Sequence, residues 1–493
     1  MTSIFFDLET TDRSPIGQIL NAHFIVVDQG WKQIDELSLD IRISPLQLPS
    51  PGAILVNRTA VLDHQAGPAV AEPEAMRTIA AFIAKTIHTS KSPVQLIGYN
   101  SGRFDVMQLR TSMIRNGVNP FFYGKLINRD LLHTVRFLSI TDSSFPREPK
   151  PGSEGDERQR LSLKLETITR SFGLLTGEQS HHSQADTLLT LKLAQLLSER
   201  FATDVRRTSG YDAATLHSIG SSSSVVTALF PNYDLSSSAR AQRTPYTFLC
   251  GDARSGLWVN LEQYSEGAGR EAVRYLNNTS GFLHIERDPE IAQSFESAAK
   301  AARADFRDLR PDTFFEPSSC DIEADIYRLF NHDAIDALTR AIKYDDPSIV
   351  APAHLHDAHQ LFVRYQLACA DWEHATEEQE RLLHDYALYR YGGRCNISKS
   401  FRGELYPEIA HEAAHPTLRE QLQEIDNLLE SASGRDRELL SQLKEFHLSS
   451  AIMRVAGQEL MALQRAMPIK VHDETTALAS EHDRKRPRGG LVP

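Results

Sequence analysis

Two acidic side chains interrupt an apolar run at the start of the chain, in the segment IFFDLETTD at residues 4–12. The run is typical of a buried strand, in which residues i and i+2 point to the same face. Asp7 and Glu9 therefore project together, away from Phe6 and Leu8. Two carboxylates this close repel each other in a dry environment unless a cation lies between them or one is protonated. The pair is either a solvated sheet edge that bonds to loop amides, or part of a metal site.

The pattern over residues 1–200 predicts a mixed sheet flanked by helices. Alternating apolar and polar residues over 36–44 are typical of a half-solvated antiparallel strand, and apolar residues at helical spacing predict a helix over 72–88. The other predicted strands cover 2–9, 22–28 and 94–100, and the other predicted helices cover 101–117, 161–172 and 183–200. A polar stretch over 141–160 is interpreted as a loop. Three strands followed by helices around a further strand indicate an α/β fold.

The character of the sequence changes after Arg200. At 493 residues the chain exceeds what one hydrophobic core usually fills, so two or three domains are expected. Residues 208–223, which include SIGSSSS, are interpreted as a flexible linker. Short β-like runs between glycine-bearing turns over 240–285 predict a small β-rich domain. Helical spacing from about 319 to 470 predicts a helical domain, and the tail DRKRPRGGLVP is expected to be disordered.

Composition excludes some classes of protein. No apolar stretch approaches the roughly 20 residues that cross a bilayer, and charges interrupt the N-terminal run, so neither a membrane protein nor a signal peptide is expected. The four cysteines form no Cys-x-x-Cys pair, which favours free thiols in a reducing cytoplasm over a zinc site. The net charge of −12 argues mildly against a nucleic-acid partner, because such proteins usually carry a basic surface. A polyanion would have to be held by local basic patches or by divalent metal.

Two further aspartates and a histidine are candidates for the same site as the acidic pair on the first strand. Asp105 opens a helix just after the apolar strand that ends at Asn100, and Asp186 begins a strongly apolar helix with His181 five residues before it. Each residue also has a plainer explanation. The helix dipole favours a carboxylate in the first turn, and Ser183 to Asp186 fits a capping box with Ser183 as the N-cap. A lone histidine near the start of a helix is usually a surface residue.

Together and in this order, these residues resemble the DEDDh family of 3′→5′ exonucleases, named for four acidic residues and a histidine. The family's three motifs are matched by Asp7-Leu8-Glu9-Thr10-Thr11, by Asp105 after Gly98-Tyr99-Asn100, and by His181 with Asp186 in His-x-x-x-x-Asp. His182 is one position off this spacing. Asp12 stands where the family often has glycine, which leaves the metal ligands unaffected but puts the loop beside the terminal nucleotide in doubt.

Longer blocks resemble those of the bacterial exonuclease I family, whose members degrade single-stranded DNA from its 3′ end. The blocks cover 51–65, 96–105, 128–136 and 162–174, and further similar blocks cover 320–338 and 361–383. The resemblance implies an α/β RNase H-like exonuclease domain with a mixed sheet over 1–200, a small β-rich SH3-like domain over 202–318 and a helical C-terminal domain over 319–472. The composition of 473–493 separately indicates a disordered tail.

The resemblance also implies two divalent cations in each site. Hard carboxylate oxygens suit Mg²⁺, with Mn²⁺ as an alternative, and do not suit zinc. Asp7 is expected to bridge both ions, with Glu9 and Asp186 completing the first position and Asp105 helping to hold the second. His181 is expected to be the general base that takes a proton from the attacking water. Glu9 is also expected to contact the 3′-hydroxyl of the substrate.

A DNA strand needs contacts beyond the metal site. Lys164 stands where exonuclease I carries an arginine that contacts phosphate, so it is expected to bind substrate without the bidentate fork of arginine. Aromatic and basic residues interleave over 389–404, which fits either stacking on a single strand or a solvated surface. The basic runs at 238–243 and in the tail are weaker candidates. The resemblance implies a monomer that binds single-stranded DNA and no membrane, and it allows a single-stranded-DNA-binding protein as a second partner.

Two other functions stay open. A DEDDh exonuclease acting on RNA or short oligonucleotides would carry the same catalytic residues, because neighbours that a sequence does not place read the 2′-hydroxyl. The two extra domains favour an enzyme for long strands. A non-catalytic nucleic-acid-binding protein on the nuclease scaffold would be expected to lack one of the five residues, and all five are present.

Overall fold

A computed structural model describes residues 1–310 with short gaps, scattered residues between 376 and 391, and residues 417–462. The gaps before 310 fall at 14–16, 46, 103, 117, 121, 123, 151–158, 178, 180–181, 207–212, 253–254, 278–281 and 283. His181, the block 320–338, most of 361–383, nearly all of 389–404 and the tail 473–493 lie outside the described residues. None of the described helices is both long and apolar enough to span a membrane.

The first part of the chain forms a five-stranded sheet in the order β3-β2-β1-β4-β5. The strands are β1 (Ser3–Thr10), β2 (Ile19–Val27), β3 (Gln33–Asp40), β4 (Val94–Gly98) and β5 (Leu126–Asp130). The pairs β1–β2 and β2–β3 are antiparallel, whereas β1–β4 and β4–β5 are parallel. The predicted mixed sheet is therefore confirmed.

Helices cover both faces of this sheet. They are α1 (Pro51–Asn57), α2 (Val61–Ala66), α3 (Glu72–Thr89), α4 (Asp105–Arg115), α5 (Leu131–Thr141), α6 (Leu165–Ser171) and α7 (Ser183–Arg200). Phe6 and Leu8 of β1 pack in the core under α3 and α4, whereas Phe5 packs in the core under α5, α6 and α7. Because side chains alternate along a strand, Asp7 and Glu9 lie on the α7 face with Phe5.

The predicted elements of this region are present, with some ends shifted. The helix predicted over 183–200 is α7, with the same bounds. The strand predicted over 36–44 ends at Asp40, because the next residue bridges to Val70 instead. The helix predicted over 161–172 begins only at Leu165, because the residues before it pair with a later part of the chain.

A second five-stranded sheet follows, antiparallel throughout, in the order β10-β6-β7-β8-β9. Its strands are β6 (Val226–Pro231), β7 (Ala241–Gly251), β8 (Ser255–Asn260), β9 (Val273–Asn277) and β10 (His284–Glu286). Helices α8 (Ala213–Ser222), α9 (Leu261–Ser265) and α10 (Pro289–Asp305) accompany the sheet. The β-rich character predicted over 240–285 is present.

The interpretation of 208–223 as a flexible linker was wrong for residues 213–222, which form helix α8, whereas 208–212 lie outside the described residues. Leu216 is only 2% exposed in the core of the second sheet. A Cβ at Gly220 would lie 2.5 Å from the Cβ of Phe248 and 2.8 Å from the ring of Trp258. Small residues here allow the helix to approach the sheet closely, so the Gly and Ser content reflects packing.

Two arginines join the second sheet to the first part of the chain. Arg147 donates to the carbonyls of Asn232, Asp234, Ser237 and Ala239, at 3.1–3.3 Å. In the opposite direction, Arg240 donates to the carbonyls of Ser139, Ser143 and Phe145. Beside them, the backbone N–H of Leu161 donates to the carbonyl of Tyr233 at 2.8 Å. The join therefore consists largely of bonds to main-chain oxygens.

Three helices follow in the described C-terminal residues, and the second of them packs on α1 and α2. They are α11 (Leu418–Ser431), α12 (Gly434–Ser449) and α13 (Ala451–Ala462). Leu439, Leu440 and Leu443 of α12 share a core with Ile54 and Val61. A helical C-terminal part is thus present over the residues described.

His447 of α12 predicts a pH dependence for this packing. Its side chain is fully buried, its Nε2 lies 3.0 Å from the carbonyl oxygen of Pro49, and burial lowers its pKa to about 4. Because the unfolded chain binds a proton that the folded protein excludes, the free energy of unfolding should fall as pH drops from about 6.5 toward 4. At about 1.4 kcal/mol per pKa unit, the loss reaches about 3 kcal/mol.

Urea unfolding of wild type and His447→Gln between about pH 7 and pH 4 measures this loss. The variant cannot titrate and should lose less stability on acidification. His88→Gln, which replaces an exposed histidine on α3, is the matched control. Parallel pH curves for wild type and His447→Gln would contradict the prediction.

Candidate metal centre

Asp7 and Glu9 lie on the carboxyl half of β1, and both side chains are partly buried. The antiparallel register places Asp7 opposite His23 and Glu9 opposite Asn21 on β2. Pairing with β2 along the whole of β1, and with β4 over residues 3–5, fixes the backbone. The two carboxylates are therefore held on one face, as the period of a strand requires.

Asp186 lies in the first turn of α7 and is 5% exposed. The start of this helix is fastened to β2, since Ser183 N donates to Asn21 Oδ1 at 3.4 Å and Thr187 Oγ1 donates to the carbonyl of His23 at 3.4 Å. These bonds bring Asp186 over the carboxyl half of β1.

The capping box considered for α7 is wrong. The N-cap is His182, whose Nδ1 accepts from Gln184 N at 3.4 Å. The carboxylate of Asp186 instead accepts a hydrogen bond from Gln179 Nε2, at 2.6 Å. His182, which is one position off the family spacing, thus caps the N-terminus of α7.

The structure brings three of the sequence-predicted ligands together. Asp7, Glu9 and Asp186 each offer a carboxylate oxygen, and these oxygens lie within 4.8 Å of one another. Asp186 therefore lies beside residues 179 and 177 positions before it in the chain, because α7 packs on the face of β1 that carries the acidic pair.

Asp105 is the first residue of α4, is 5% exposed and faces the same cluster. It lies outside the group of three oxygens, yet its charge raises the pKa of both Asp7 and Glu9. Its own backbone N–H and that of Leu8 donate to it and oppose the effect of burial on its pKa. Asp105 therefore borders the cluster, beside β1.

The turn before α4 is held by Asp130, the last residue of β5. Its carboxylate accepts from Asn100 N at 2.8 Å, from Gly102 N at 3.1 Å and from Leu132 N at 3.0 Å. Asn100 has a φ of 60°, in the left-handed region where asparagine is among the few tolerated residues. Asp130 thereby fixes the path of the chain into Asp105.

Burial and mutual repulsion raise the pKa values of these carboxyl groups. The pKa of Asp7 lies well above its usual value, first through burial and then through Asp105, Glu9 and Asp186. Burial, with the charges of Asp186 and Asp105, raises the pKa of Glu9 to about 9. Burial also raises the pKa of Asp105 to about 7, with smaller contributions from Asp130 and Asp186. The cluster binds protons readily when no other cation offsets its charge.

The donor set fits a hard divalent cation. Every member of the cluster is a carboxylate, and oxygen ligands of this kind suit Mg²⁺ and Mn²⁺. A cation between the oxygens would remove the repulsion that raises the pKa values of Asp7 and Glu9. The acidic pair on the first strand is thus part of a candidate metal centre, and the solvated-edge alternative does not describe it.

A pH prediction follows for the protein without divalent cation. Glu9 and Asp105 keep protons in the folded protein at pH values where the unfolded chain has released them. The free energy of unfolding should therefore fall as pH rises from about 5 to 9, by about 1.4 kcal/mol per pH unit for each such proton. Cation binding needs ionised carboxylates, so Mg²⁺ should flatten or reverse this slope.

Urea unfolding with a chelator and with saturating Mg²⁺, at several pH values across this range, measures both slopes. Asp7→Asn, which removes one member of the cluster, should show a smaller response to Mg²⁺. Identical slopes with and without Mg²⁺ in the wild type would contradict a cation site at this cluster.

His23 adjoins the cluster and is fully buried on β2. Burial lowers its pKa, opposed by the Glu36 carboxylate 3.3 Å away, while the nearby His182 lowers it further. A neutral imidazole opposite Asp7 does not offset the negative charge of the carboxylates, so that charge can attract a metal cation.

Lys164, the predicted phosphate contact, is exposed at the N-cap of α6. The residue before it, Leu163, accepts a hydrogen bond from the buried hydroxyl of Tyr99. Tyr99 belongs to the turn that leads to Asp105. The bond therefore connects the residue before Lys164 to the segment that carries Asp105.

Sequence reasoning missed two residues of this region. Asp130 could have been found, because an aspartate directly before an apolar helix is a common N-cap. Gln179 carries no such signal, since a glutamine in a polar loop fits many environments.

Comparison with known proteins gives matches only at the level of structure. No protein-family model matches the chain, and no curated protein matches it. E. coli exonuclease I in complex with a 5cy-dA13 oligonucleotide matches with a TM-score of 0.64 at 16% identity, over 91% of this chain and 99% of that one. A moderately thermophilic exonuclease I from Methylocaldum szegediense matches with a TM-score of 0.63 at 16% identity, over 94% and 100%.

A third structure, a complex of ExoI with SSB-Ct, matches with a TM-score of 0.60 at 16% identity, over 91% of this chain and 99% of that one. The chain therefore has the exonuclease I fold, with its nuclease, SH3-like and helical parts. This confirms the structural relation that the motifs implied.

Proposed function

We propose that this chain is a 3′→5′ exonuclease that hydrolyses single-stranded DNA to 5′-mononucleotides at a site holding two divalent cations. The convergence of oxygens from Asp7, Glu9 and Asp186 within 4.8 Å, in a chain with the exonuclease I fold, carries the proposal. Cytoplasmic location, a monomeric state and domain limits near 200, 318 and 472 belong to the same proposal.

The four carboxylates divide into two sets in this proposal. Asp7 would help to hold both cations, Glu9 and Asp186 would hold the first, and Asp105 would help to hold the second, in keeping with its place at the border of the cluster. When bound, the cations would act as Lewis acids on the scissile phosphate and offset charge on the leaving oxygen. The chain's own task is to hold the carboxylates in place, since burial and mutual repulsion favour their protonated forms until a cation binds.

Two further residues act on the substrate in this proposal. His181 takes the proton from the attacking water, a role that suits an unperturbed histidine pKa of about 6.5. It lies outside the described residues, but its neighbours in sequence, Gln179 and Asp186, both belong to the cluster region. The exposed ammonium of Lys164 binds a phosphate of the strand, and Glu9 also contacts the terminal 3′-hydroxyl.

Single-stranded DNA and a single-stranded-DNA-binding protein are the proposed partners. Two of the matching solved structures are described as complexes with an oligonucleotide and with SSB-Ct. The hydrogen bonds of Arg147 and Arg240 hold the second sheet against the first part of the chain. The two parts thus form one continuous surface, which supports a substrate path longer than one nucleotide.

Digestion of end-labelled substrates with Mg²⁺ tests the proposal. A 3′ label on single-stranded DNA should be released as a mononucleotide at once, and a 5′ label should appear in a descending ladder. Duplex DNA and RNA of the same sequence should be cut much more slowly. Faster cleavage of RNA would favour the rival substrate, and absence of cleavage of all three would refute a nuclease function.

A further inference from the structure

A side chain outside the four carboxylates bonds directly to the cluster. Gln179 lies seven residues before Asp186 and is half-buried, and its Nε2 donates to Asp186 Oδ2 at 2.6 Å. The bond links Gln179 to the first turn of α7.

A bond of this kind controls the orientation of the carboxylate. The last torsion of an aspartate side chain has a broad, roughly two-fold preference, so the plane of its carboxylate turns easily. A donor on one oxygen fixes that plane. Gln179 does this without adding charge, whereas a lysine or arginine in its place would compete with a cation for the same carboxylate.

The other ligands are held by different means. Asp7 and Glu9 stand on a strand that pairs with β2 at both of their positions. Asp105 accepts from its own backbone N–H and from that of Leu8. At Asp186, the side-chain amide of Gln179 donates to the carboxylate.

We infer that Gln179 is a positioning residue that orients Asp186 for cation binding, an inference that rests on the proposed function of the cluster. Hydrogen-bonding partners of metal ligands typically change metal affinity by about 10- to 100-fold when they are removed. The loss of the Gln179 donor should therefore weaken cation binding by this factor. The maximal rate at saturating cation should change little, because all four ligands and His181 remain.

Gln179→Met tests the inference, because methionine has a similar length and no donor. Mn²⁺ binding to the full chain is measured by titration calorimetry, and the Mg²⁺ concentration for half-maximal cleavage is measured separately. We expect both to shift by about 10- to 100-fold, with the maximal rate within about threefold of wild type. Gln179→Asn, which keeps an amide but shortens its reach, should shift them in the same direction.

Gln442→Met is the matched control. Gln442 of α12 also donates its amide to a carboxylate, that of Asp63 on α2, at 3.1 Å. This variant removes the same kind of bond away from the cluster and should bind Mn²⁺ as the wild type does. Thermal unfolding with a chelator confirms that all three variants are folded.

Wild-type Mn²⁺ affinity in both Gln179→Met and Gln179→Asn would overturn the inference. A cleavage rate that falls by the same factor at every Mg²⁺ concentration, with unchanged Mn²⁺ affinity, would also overturn it. That result would indicate a general structural role for Gln179. If the wild type itself neither bound Mn²⁺ nor cleaved DNA, the proposed nuclease function would be refuted. Failure of the inference about Gln179 alone would instead leave a wild type that binds Mn²⁺ and cleaves DNA.

Discussion

Asp7→Asn is expected to slow hydrolysis of single-stranded DNA by at least about 10³-fold. Asparagine keeps the shape of the side chain but removes the charge of the residue proposed to be shared by both cations. Metal ions contribute several kcal/mol of charge stabilisation to such transition states, and about 4 kcal/mol corresponds to a factor of 10³. Single-turnover rates at saturating Mg²⁺ measure the loss.

The same change should leave the protein without cation at least as stable as the wild type. Burial and three neighbouring carboxylates disfavour the ionised form of Asp7, and asparagine removes that repulsion. Urea unfolding with a chelator measures this effect. Loss of activity together with unchanged or higher stability would separate a chemical role for Asp7 from a structural one.

Asp35→Asn is the control for Asp7→Asn. Asp35 lies on β3 of the same sheet and pairs with Lys85 at 2.7 Å on the surface. An exposed ion pair contributes about 1 kcal/mol or less, so rate and stability should stay close to wild type. If Asp7→Asn kept more than about a tenth of the wild-type rate, a cation shared at Asp7 would be excluded.

His181→Ala is expected to slow hydrolysis by about 10²- to 10⁴-fold, the usual contribution of a positioned general base. The rate of the wild type should rise with pH around the histidine pKa of about 6.5, and the variant should lose that rise. Mn²⁺ binding should be retained, because the four carboxylates remain. Pre-steady-state rates across pH, with calorimetry of Mn²⁺ binding, test both statements.

His182→Ala provides a control one residue away. His182 is the N-cap of α7, and its imidazole accepts a bond from the backbone of Gln184. Its loss should cost at most about 1 kcal/mol of stability and should leave the chemical rate nearly unchanged. If His182→Ala slowed hydrolysis as much as His181→Ala, the assignment of the base to His181 would be wrong.

The acidic pair could be predicted from the sequence because the period of a strand is a local property. Asp7 and Glu9 share a face in any strand that contains them, and apolar neighbours showed that this strand is buried. The meeting of Asp186 with this pair depends on how α7 packs. The motif resemblance supplied that information, since no local pattern contains it.

Other features could not be read from the sequence because tertiary contacts decide them. The Ser-rich segment of α8 is helical because Gly220 permits close contact with Phe248 and Trp258. Residues 159–161 pair with 233–235 and so delay the start of α6. In the same way, Gln179 gains a role only from the carboxylate that the fold places beside it.

The reciprocal bonds of Arg147 and Arg240 have a consequence for how much this sequence can change. Both guanidinium groups bind carbonyl oxygens, which every amino acid supplies, so substitutions at the accepting positions leave the acceptors in place. The two arginines alone would then suffice to preserve the join, even if the residues around them were substituted. A homologue with almost no shared side chains at this boundary could still assemble in the same way.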